Sequence, residues 1–384
     1  MLPLPVATAV QARSVARITE VNAAAWDRLA APADNPFLRH AFLHALEASG
    51  SATERTGWQP FHLVVEEDGR LTAVAPLYLK SHSYGEYVFD HGWAEGYRRA
   101  GGRYYPKLQA AVPFTPVPGP RLLAEDDAAR AALVEALKAV TAQLRLSSLH
   151  VTFCTAEEAE VLRAAGFLQR RGVQYHWHNQ GYGSFDDWLA SLRSAKRKMV
   201  RKEREQVRAA GVVVEAVHGE AVTPALLDEF FPFYLATVDK RWGSAYLSRD
   251  FFRRLGRELK DAVVLMVARH RGRMVAGALN LRGTSTLYGR QWGCLEEFRF
   301  LHFEACYYQA IEFAIRHGLQ RVEAGAQGAH KLHRGYAPVW TYSAHHIPNE
   351  SFRDAVARFL AAERRALEDE MVGMEEALPY RQEG

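Results

Sequence analysis

The chain has 384 residues, enough for about two to three domains of ordinary size. Lysine and arginine number 48 and aspartate and glutamate 44, so the formal net charge is only +4. Hydrophobic residues make up 48% and charged residues 24%. These values are typical of globular proteins and exclude a disordered, collagen-like or low-complexity chain. No run approaches the roughly 18 consecutive apolar residues that a membrane span needs.

The cysteines and the first residues indicate the compartment. Cys154, Cys294 and Cys306 are widely spaced and odd in number, which favours free thiols in a reducing environment over a disulfide framework. The segment Met1–Val10 is apolar but short, and it lacks a leading positive region and a convincing cleavage site. We expect it to be a frayed terminus, and the protein to be cytoplasmic and without integral membrane contact.

The first half of the sequence predicts a helix, a hairpin, a second helix and a strand. An aromatic-rich helix is expected around Phe37–Leu46, followed by two apolar strands within Phe61–Leu79. Asp68-Gly69 between those strands is a strong hairpin signal, because glycine tolerates the positive φ of a tight turn. Helical spacing of apolar residues then predicts a helix over Asp126–Leu144, and Ser148–Phe153 reads as a buried strand.

A concentrated run of basic residues opens the second half. Ser184 followed by Asp187 resembles a capping box, and apolar residues at helical spacing from Trp188 to Met199 predict one long helix. Two acidic residues oppose eight cations in this stretch, which indicates a docking surface for phosphates or a solvated helix face. The cations are Arg193, Lys196, Arg197, Lys198, Arg201, Lys202, Arg204 and Arg208.

The rest of the second half repeats the order of the first. A helix around Pro224–Val238 precedes a second hairpin pattern over Val263–Leu281. A helix over Phe303–His317 follows, with Gly318 where a C-terminal cap belongs, and Leu319–Ala324 is the next strand. The shared order predicts two similar α/β domains, 1–180 and 181–384, joined near residues 178–185.

Residues able to carry chemistry cluster near the C-terminal end of this second half. The strand Leu287–Trp292 is expected to show Tyr288, Arg290 and Trp292 on one face. Glycines in the loop beyond Glu323 would let backbone N–H groups approach a ligand, and a lysine there could stabilise an oxyanion. A solvated basic loop is the alternative interpretation. The polar residues of this loop are Gln327, His330, Lys331, His333 and Arg334.

Two further groups of candidates lie elsewhere. Asp90 and His91 could form an acid–base couple if they lie in a loop, with a structural or substrate-contact role as the alternative. Tyr104, Tyr105 and Lys107 form a polar–aromatic cluster suited to lining a pocket. The His-x-His pair at 176 and 178 lacks a matching cluster of ligands, so no metal site is expected.

These segments carry a resemblance to a known family. The paired halves, the basic helix and the ending Gly325–Tyr336 resemble the FemAB-like branch of the GNAT acyltransferase superfamily. Within that branch the chain is most similar to a bacterial family labelled GNAT-like or peptidoglycan-biosynthesis-like. Further segments that carry the resemblance are Asn35–Leu38, Ser81–Trp93 and Tyr104–Gln109. It implies tandem GNAT-like α/β domains, each a mixed, mainly antiparallel sheet flanked by helices.

The resemblance also implies transfer of an acyl or aminoacyl group to an amine. In Fem-type enzymes a Phe-Lys pair near the end of the second domain supplies a lysine that supports the tetrahedral intermediate. Lys331 occupies that place, although His330 rather than Phe precedes it. We expect Lys331 to stabilise the oxyanion, with His330 or Tyr288 as the proton relay. The site is expected in a cleft between the halves, lined mostly by the second.

The donor stays open between an acyl-CoA and an aminoacyl-tRNA, as a co-substrate rather than a bound cofactor. Arg290–Leu295 matches the coenzyme A loop of single-domain GNAT enzymes poorly, since it ends a strand instead of opening a helix. Fem-type relatives use aminoacyl-tRNA, which suits the basic helix, but no obvious long coiled-coil insertion is present. The acceptor stays open among a lipid II peptide, a free amino acid and a metabolite amine.

Thirteen residues are predicted to contact the donor or the acceptor. A non-catalytic GNAT-fold protein that holds an anionic ligand or RNA through the basic helix is the alternative function. The amphipathic tail Phe352–Met374 is a candidate for packing or for self-association as a homodimer. The predicted contact residues are Arg290, Trp292, Gln327, Arg334, Tyr336, Asp90, His91, Trp93, Tyr105, Lys107, Lys196, Arg197 and Arg201.

Overall fold

The computed structural model describes residues 10–241, 245–325 and 328–381, and it divides the chain into two compact units. The first unit runs to Arg171 and includes Thr341–Ala362, and the second comprises Gly172–Trp340 and the chain from Glu363. The predicted domains 1–180 and 181–384 differ from these units. The reason is that the chain passes from one unit to the other inside regular elements rather than through a linker.

The strands follow in chain order. They are β1 (Val10–Val15), β2 (Trp58–Pro60), β3 (His62–Glu67), β4 (Arg70–Ala75), β5 (Leu77–Lys80), β6 (Lys107–Ala110), β7 (Leu123–Ala124), β8 (Leu149–Cys154), β9 (Leu168–His178), β10 (Val212–His218), β11 (Val263–His270), β12 (Arg273–Arg282), β13 (Thr286–Cys294), β14 (Arg321–Glu323) and β15 (Ala337–His346).

The helices confirm most of the predicted ones, including the tail. They are α1 (Ala23–Ala30), α2 (His40–Ala48), α3 (His91–Arg99), α4 (Asp127–Gln143), α5 (Ala156–Ala164), α6 (Phe185–Ser191), α7 (Ser194–Ala209), α8 (Pro224–Arg241), α9 (Arg249–Glu258), α10 (Leu301–Phe303), α11 (Gln309–Arg316) and α12 (Glu350–Glu376). A π-helical turn, Glu304–Tyr308, joins α10 to α11.

The first unit contains two sheets. One has the strand order β1-β3-β4-β7, and the other the order β15-β8-β6-β5-β2. In the second of these sheets β6 and β8 are parallel and the remaining described pairs are antiparallel. Leu133 and Leu137 of α4 pack on strand residues such as Leu63 and Leu149 to form the core of this unit.

The second unit contains one mixed sheet with the strand order β10-β11-β12-β13-β14-β9. β13 and β14 are parallel, and the other described pairs are antiparallel. Leu287, Val322 and Trp177 lie side by side in register and join the core formed with α6 and α11. Because side chains alternate along a strand, the residues next to them face the opposite side of the sheet.

The two predicted hairpins are confirmed, and they match in detail. β3 and β4 are joined by Asp68-Gly69, and β11 and β12 by Arg271-Gly272, with positive φ at both residues of each turn. This is the turn type that suits the twist of paired strands. Each second strand also carries a bulge at the same distance past the turn glycine, at Thr72 and at Val275. The shared irregularity supports a common pattern in the two units.

The prediction of one long helix after Ser184 is wrong. α6 ends at Ser191 and α7 begins at Ser194, so the basic residues lie on a separate helix. Leu192 is extended and bridges to Tyr380, and the N–H of Arg193 donates to the Pro379 carbonyl oxygen at 2.8 Å. Pairing with this distant segment therefore replaces helical hydrogen bonds that the local pattern favoured.

Candidate active site

The candidate site lies in the second unit, where β13 and β14 stop running side by side. The last residues that the two parallel strands pair are Tyr288 and Glu323. β14 ends there, whereas β13 continues to Cys294. A β-carbon on Gly289 would lie 3.3 Å from the Glu323 carbonyl oxygen, so glycine permits a close backbone approach at the point of separation. Beyond it, the β14-facing edge of β13 no longer has that strand beside it.

Lys331 lies just beyond the end of β14, in the 3₁₀ turn Ala329–Arg334. Its side chain is only 3% exposed, and its Nζ donates to the carbonyl oxygens of Ala324 at 2.7 Å and Gly325 at 3.0 Å. Burial lowers the pKa of Lys331 to about 8, so the ammonium form still dominates at neutral pH. The side chain of Lys331 is therefore held inside the protein. A non-catalytic binding protein could instead leave this side chain in solvent.

His330, the residue before Lys331, makes its own set of contacts. Its side chain is partly exposed, and its Nε2 lies 3.0 Å from the Tyr307 hydroxyl, with the Phe303 ring nearby. Partial burial and the positive charges of Arg334 and Lys331 lower the pKa of His330. The ring is therefore largely neutral at physiological pH and already has a hydrogen-bond partner. Its role in proton transfer stays a prediction.

Glu323 and His176, both outside the predicted site, face each other from β14 and β9. Glu323 Oε2 lies 3.8 Å from His176 Nε2, and Oε1 lies 3.1 Å from Arg321 Nε. Oε2 accepts no hydrogen bond from any described residue. Burial raises the pKa of Glu323 to about 7, even though Arg321 and Arg290 lower it. This carboxyl group can therefore take up or release a proton near neutral pH.

The signal for this pair was present in the sequence but was incomplete. Glu323 alternates with the core residue Val322, which places it on the polar face of its strand. His176 alternates in the same way with Trp177. That β9 lies next to β14 is a property of strand order, which neither segment reveals alone.

Because of a β-bulge, the side chains of β13 lie on different faces from those predicted. Arg290 is the extra residue between β13 and β12, and it shifts the alternation of side chains that follow. Tyr288 stays on the face of Glu323, whereas Trp292 projects to the opposite face and packs on His302 with ring centroids 5.4 Å apart. The prediction that Tyr288, Arg290 and Trp292 share one face is therefore wrong.

Two other predicted contact residues of the loop are held inside the unit. Arg334 is buried and its Nη2 donates to Glu203 Oε1 at 2.7 Å. Tyr336 is fully buried and its hydroxyl donates to the Tyr307 carbonyl oxygen at 3.3 Å. Both side chains tie the loop to neighbouring helices, and their contact with a donor stays a prediction. Gln327 lies outside the described residues.

Helix α7 divides its cations between two roles. Arg204 is committed to the unit, because it donates to Glu304 at 3.0 Å and to Glu312 at 2.8 Å. Five further cations form what we name the α7 cation face. None of these five pairs with a carboxylate within the described part of the chain. The α7 cation face comprises Lys196, Arg197, Lys198, Arg201 and Lys202.

The first unit holds a separate buried cluster of charged residues around Lys107. Lys107 Nζ donates to Glu86 Oε2 at 2.7 Å, to Ser83 Oγ at 2.9 Å and to Asp90. Burial works against the charge on Lys107, but Glu86 and Asp90 raise its pKa above the ordinary value. Burial raises the pKa of Glu86 to about 7. Lys80 Nζ also lies 3.8 Å from Glu86 Oε1, so two carboxyl groups and two lysine amines lie together in a water-poor environment.

Asp90 extends this cluster into a chain of hydrogen bonds. The Tyr104 hydroxyl donates to Asp90 Oδ2 at 2.6 Å and lies 3.3 Å from His150 Nε2. His150 Nδ1 lies 2.7 Å from His345 Nδ1. Burial lowers the pKa of His150 to about 3 and that of His345 well below its ordinary value. Both imidazoles are therefore neutral, and one donates a hydrogen bond to the other.

The remaining predicted residues of the first unit take different positions. Asp90 is buried whereas His91 is exposed, so the structure does not bring them together as a couple. Trp93 is buried beside them, and the Tyr105 hydroxyl lies 2.7 Å from Ser83 Oγ. Tyr105 and Lys107 thus share Ser83 as a partner. Contact of these residues with a substrate stays a prediction.

Metal ligation and membrane crossing have no candidates in the described ranges. No group of three or more His, Cys, Asp and Glu side chains there is arranged to hold a metal ion. Among the same residues, no helix combines the length and the apolar character that crossing a membrane requires.

Comparison with known proteins identifies the family. The FemAB-like family, described as peptidoglycan biosynthesis/recognition, matches residues 17–382. No curated protein matches the sequence. Among solved structures, the chain is similar to FemX, with 13% identity over 88% of this chain and 98% of that one and a TM-score of 0.56.

Two further solved structures show the same fold. L-PGS from Bacillus licheniformis has 10% identity over 87% of this chain and 96% of its own, with a TM-score of 0.51. A conserved protein of unknown function from Bacteroides thetaiotaomicron has 13% identity over 85% and 97%, with a TM-score of 0.52. At these identities the likeness concerns the fold. The predicted class, tandem GNAT-like domains with mixed, mainly antiparallel sheets, is confirmed.

Proposed function

Because the chain belongs to the FemAB-like family, we propose that it is an N-acyltransferase that moves an acyl or aminoacyl group from an activated donor to an amine. The observation that carries the proposal is Lys331, a buried ammonium fixed by two backbone carbonyls where β13 and β14 separate. Attack on an ester or thioester turns the carbonyl oxygen into an oxyanion. A cation fixed in place beforehand stabilises that charge without reorganisation.

Binding and alignment supply the rest of the catalysis. Aminolysis needs the two substrates held in contact, a proton acceptor for the amine and a donor for the oxyanion. Lys331 serves the oxyanion, and His330 or Tyr288 remain the proposed proton relay. Tyr288 is better placed than His330, because it is the register neighbour of Glu323 at the end of the paired strands.

We assign the donor to the α7 cation face. An acyl-CoA and an aminoacyl-tRNA both carry phosphates, and cations that lack carboxylate partners attract them. Lys198, Arg201 and Lys202 are exposed, whereas Lys196 and Arg197 are half-buried. Lys196, Arg197 and Arg201 are the proposed contacts, with Arg290 nearer the reacting carbonyl. The family description, peptidoglycan biosynthesis/recognition, supports an amine of peptidoglycan as the acceptor.

Thermal unfolding with candidate donors tests this proposal. The full chain is heated alone and with coenzyme A, acetyl-CoA, a longer acyl-CoA or charged tRNA. A donor at about 100 times its Kd stabilises the folded state by roughly 2.7 kcal/mol, which raises the unfolding midpoint by a few degrees. The variant Lys331→Ala should keep this shift, because the oxyanion forms only during reaction.

Each outcome identifies a different donor or function for the protein. A shift with a CoA thioester identifies a thioester donor, and one with charged tRNA alone identifies aminoacyl transfer. A shift with uncharged RNA equal to that with charged tRNA, without transfer to any amine, supports the alternative function of a non-catalytic binding protein. The α7 cation face, three of whose five members are exposed, is the observation that favours this alternative.

A further inference from the structure

Glu323 has the surroundings of a proton acceptor in the same site. Its carboxylate is almost fully buried, one oxygen is paired with Arg321, and the other oxygen receives no hydrogen bond from the described residues. We propose that Glu323 is the general base that deprotonates the acceptor amine, and that His176 is the positioning residue for its carboxylate. This inference rests on the proposed acyl transfer and names the proton acceptor which that reaction needs.

The position of Glu323 relative to Lys331 supports this role. Glu323 is the last residue of β14, and the two carbonyls that hold the Lys331 ammonium belong to the two residues that follow it. A base and an oxyanion donor must both reach one reacting carbonyl group, so they must lie a few ångströms apart. The positive charge of Lys331 also lowers the pKa of His176, the residue that faces Glu323.

Glu323 is also better prepared to accept a proton than the two predicted relays. The phenol of Tyr288 is weakly acidic by nature, and the His330 ring is already bonded to Tyr307. The charged and titratable groups around Glu323 are Arg321 on its own strand, Arg290 and Tyr288 on β13, and His176 on β9. Burial outweighs the two arginines and raises the pKa of Glu323 to about 7.

His176 acts on the carboxylate rather than on the substrate. His176 is buried. Its Nε2 lies 3.8 Å from Glu323 Oε2 and 3.3 Å from Gln174 Oε1. Burial keeps the pKa of this imidazole well below its ordinary value, so the ring is neutral. A neutral ring beside Oε2 limits the rotation of the carboxylate without cancelling its basicity through a salt bridge.

The reaction balances with these groups. The acceptor ammonium gives one proton to Glu323, and the freed nitrogen pair attacks the donor carbonyl carbon. A C–N bond forms while the C=O π pair moves to oxygen, where the Lys331 ammonium stabilises it. When the oxyanion collapses, the C–O or C–S bond to the leaving group breaks. The leaving alcohol or thiol takes the proton back from Glu323, and the second proton on nitrogen passes to water.

The test compares two nucleophiles that differ in their need for a base. Methylamine is almost entirely protonated at neutral pH, whereas hydroxylamine is largely unprotonated. Transfer from acetyl-CoA or charged tRNA is measured with each, after subtracting the rate without protein. We expect Glu323→Gln to slow transfer to methylamine by about 10²–10⁴-fold. Transfer to hydroxylamine should stay within a few-fold, and the thermal shift with the donor should be unchanged.

Three variants separate this role from its alternatives. Glu323→Asp should restore part of the methylamine rate, and Lys331→Ala should slow both nucleophiles alike. His176→Gln should move the acidic limb of the pH profile for methylamine while leaving donor binding unchanged, which a purely structural role would not do. Equal losses with both nucleophiles in Glu323→Gln, or no loss with either, would overturn the assignment.

An infrared titration keeps the two proposals distinguishable. The wild-type minus Glu323→Gln difference spectrum should contain a protonated carboxyl band that disappears through the neutral range. If Glu323 stays ionised down to the pH at which an ordinary glutamate titrates, its role as the base is wrong, whatever activity is measured. If the wild type transfers no group to either nucleophile, acyl transfer itself fails, while the same titration still decides whether Glu323 exchanges a proton.

Discussion

Lys331 is the residue whose removal should separate chemistry from binding. We expect Lys331→Ala to lower turnover by about 10²–10³-fold, the usual cost of losing one oxyanion donor. Donor affinity should change little, because the ground-state carbonyl carries no full charge. Lys331→Arg should recover part of the rate only if its larger head group fits between the same carbonyls. Lys260→Ala, which removes an exposed lysine paired with Glu220, is the control and should leave turnover unchanged.

The contrast between Glu203 and Glu205 tests what Arg334 does. Both glutamates lie on α7, but Glu203 is buried against Arg334 whereas Glu205 is exposed beside Arg208. Glu203→Ala leaves a buried guanidinium without its carboxylate, which costs about 3–5 kcal/mol of unfolding free energy. Glu205→Ala should change it by less than about 1 kcal/mol. Equal effects in urea unfolding would show that Arg334 is not held by Glu203.

At the scale of elements, the contact of β8 with β15 should make stability depend on pH. His150 and His345 are neutral in the folded state at pH values where an unfolded histidine binds a proton. The folded state therefore binds fewer protons, so the free energy of unfolding falls as the pH drops below about 6.5. At about pH 5 each such histidine lowers the free energy of unfolding by roughly 2 kcal/mol. Glu86, with its pKa raised to about 7, acts in the opposite direction.

A comparison of variants isolates this effect from Glu86. Urea unfolding is measured at about pH 7.5 and about pH 5. His345→Gln keeps a hydrogen-bonding group next to His150 but removes one titrating ring, so the loss of stability between the two pH values should be smaller than in wild type. His91→Gln, which changes an exposed ring, should show the wild-type loss. The same loss in His345→Gln would contradict the assignment.

The α7 cation face should determine how donor binding responds to salt. Each phosphate contact contributes a slope of about 0.7–0.9 to the fall of log K with log salt for nucleic acids. The triple variant with alanine at Lys196, Arg197 and Arg201 should bind charged tRNA more weakly and with a slope lower by about two to three. Arg98→Ala, in the first unit and paired with Glu95, is the control. An unchanged slope would remove this face from the donor site.

Local sequence patterns were sufficient where the determinant is local. The hairpins at Asp68-Gly69 and Arg271-Gly272 follow from two apolar strand patterns separated by a polar turn with glycine, and the structure confirms them. The break between α6 and α7 depends on pairing of Leu192 with Tyr380, and the reversal of Trp292 depends on a bulge at Arg290. Both are set by partners remote in sequence, so a helical or alternating pattern could not reveal them.

The candidate site likewise contains residues that the sequence could indicate and residues that it could not. Lys331 could be selected from the family's Phe-Lys pattern and from its place beyond a buried strand. Glu323 and His176 are far apart in the sequence, and they meet only because β9 is the neighbour of β14. The buried chain from Lys107 to His345 likewise joins three strands and the start of a helix. Such contacts follow from strand order, which composition and spacing do not contain.

At the scale of the whole molecule, the division into units predicts how the chain can be cut. A fragment ending at residue 180 would contain the predicted first domain but lack Thr341–Ala362, which belongs to the first unit. It would therefore lose the part of β15 that pairs with β8 from Tyr342–Cys154 to His346–Leu149. The unpaired strand would leave backbone donors and acceptors of the core without partners, and His150 without His345.

We expect the fragment 1–180 to lack a cooperative unfolding transition. The fragment 1–171 joined by a long flexible linker to 341–362 should regain one, because it contains the complete first unit. Urea unfolding followed by circular dichroism compares the two. As a control, the same linker joined to 363–384, which belongs to the other unit, should not restore the transition. Cooperative unfolding of 1–180 alone would mean that the predicted boundary at 180, rather than the unit boundary inside β9, defines a folding domain.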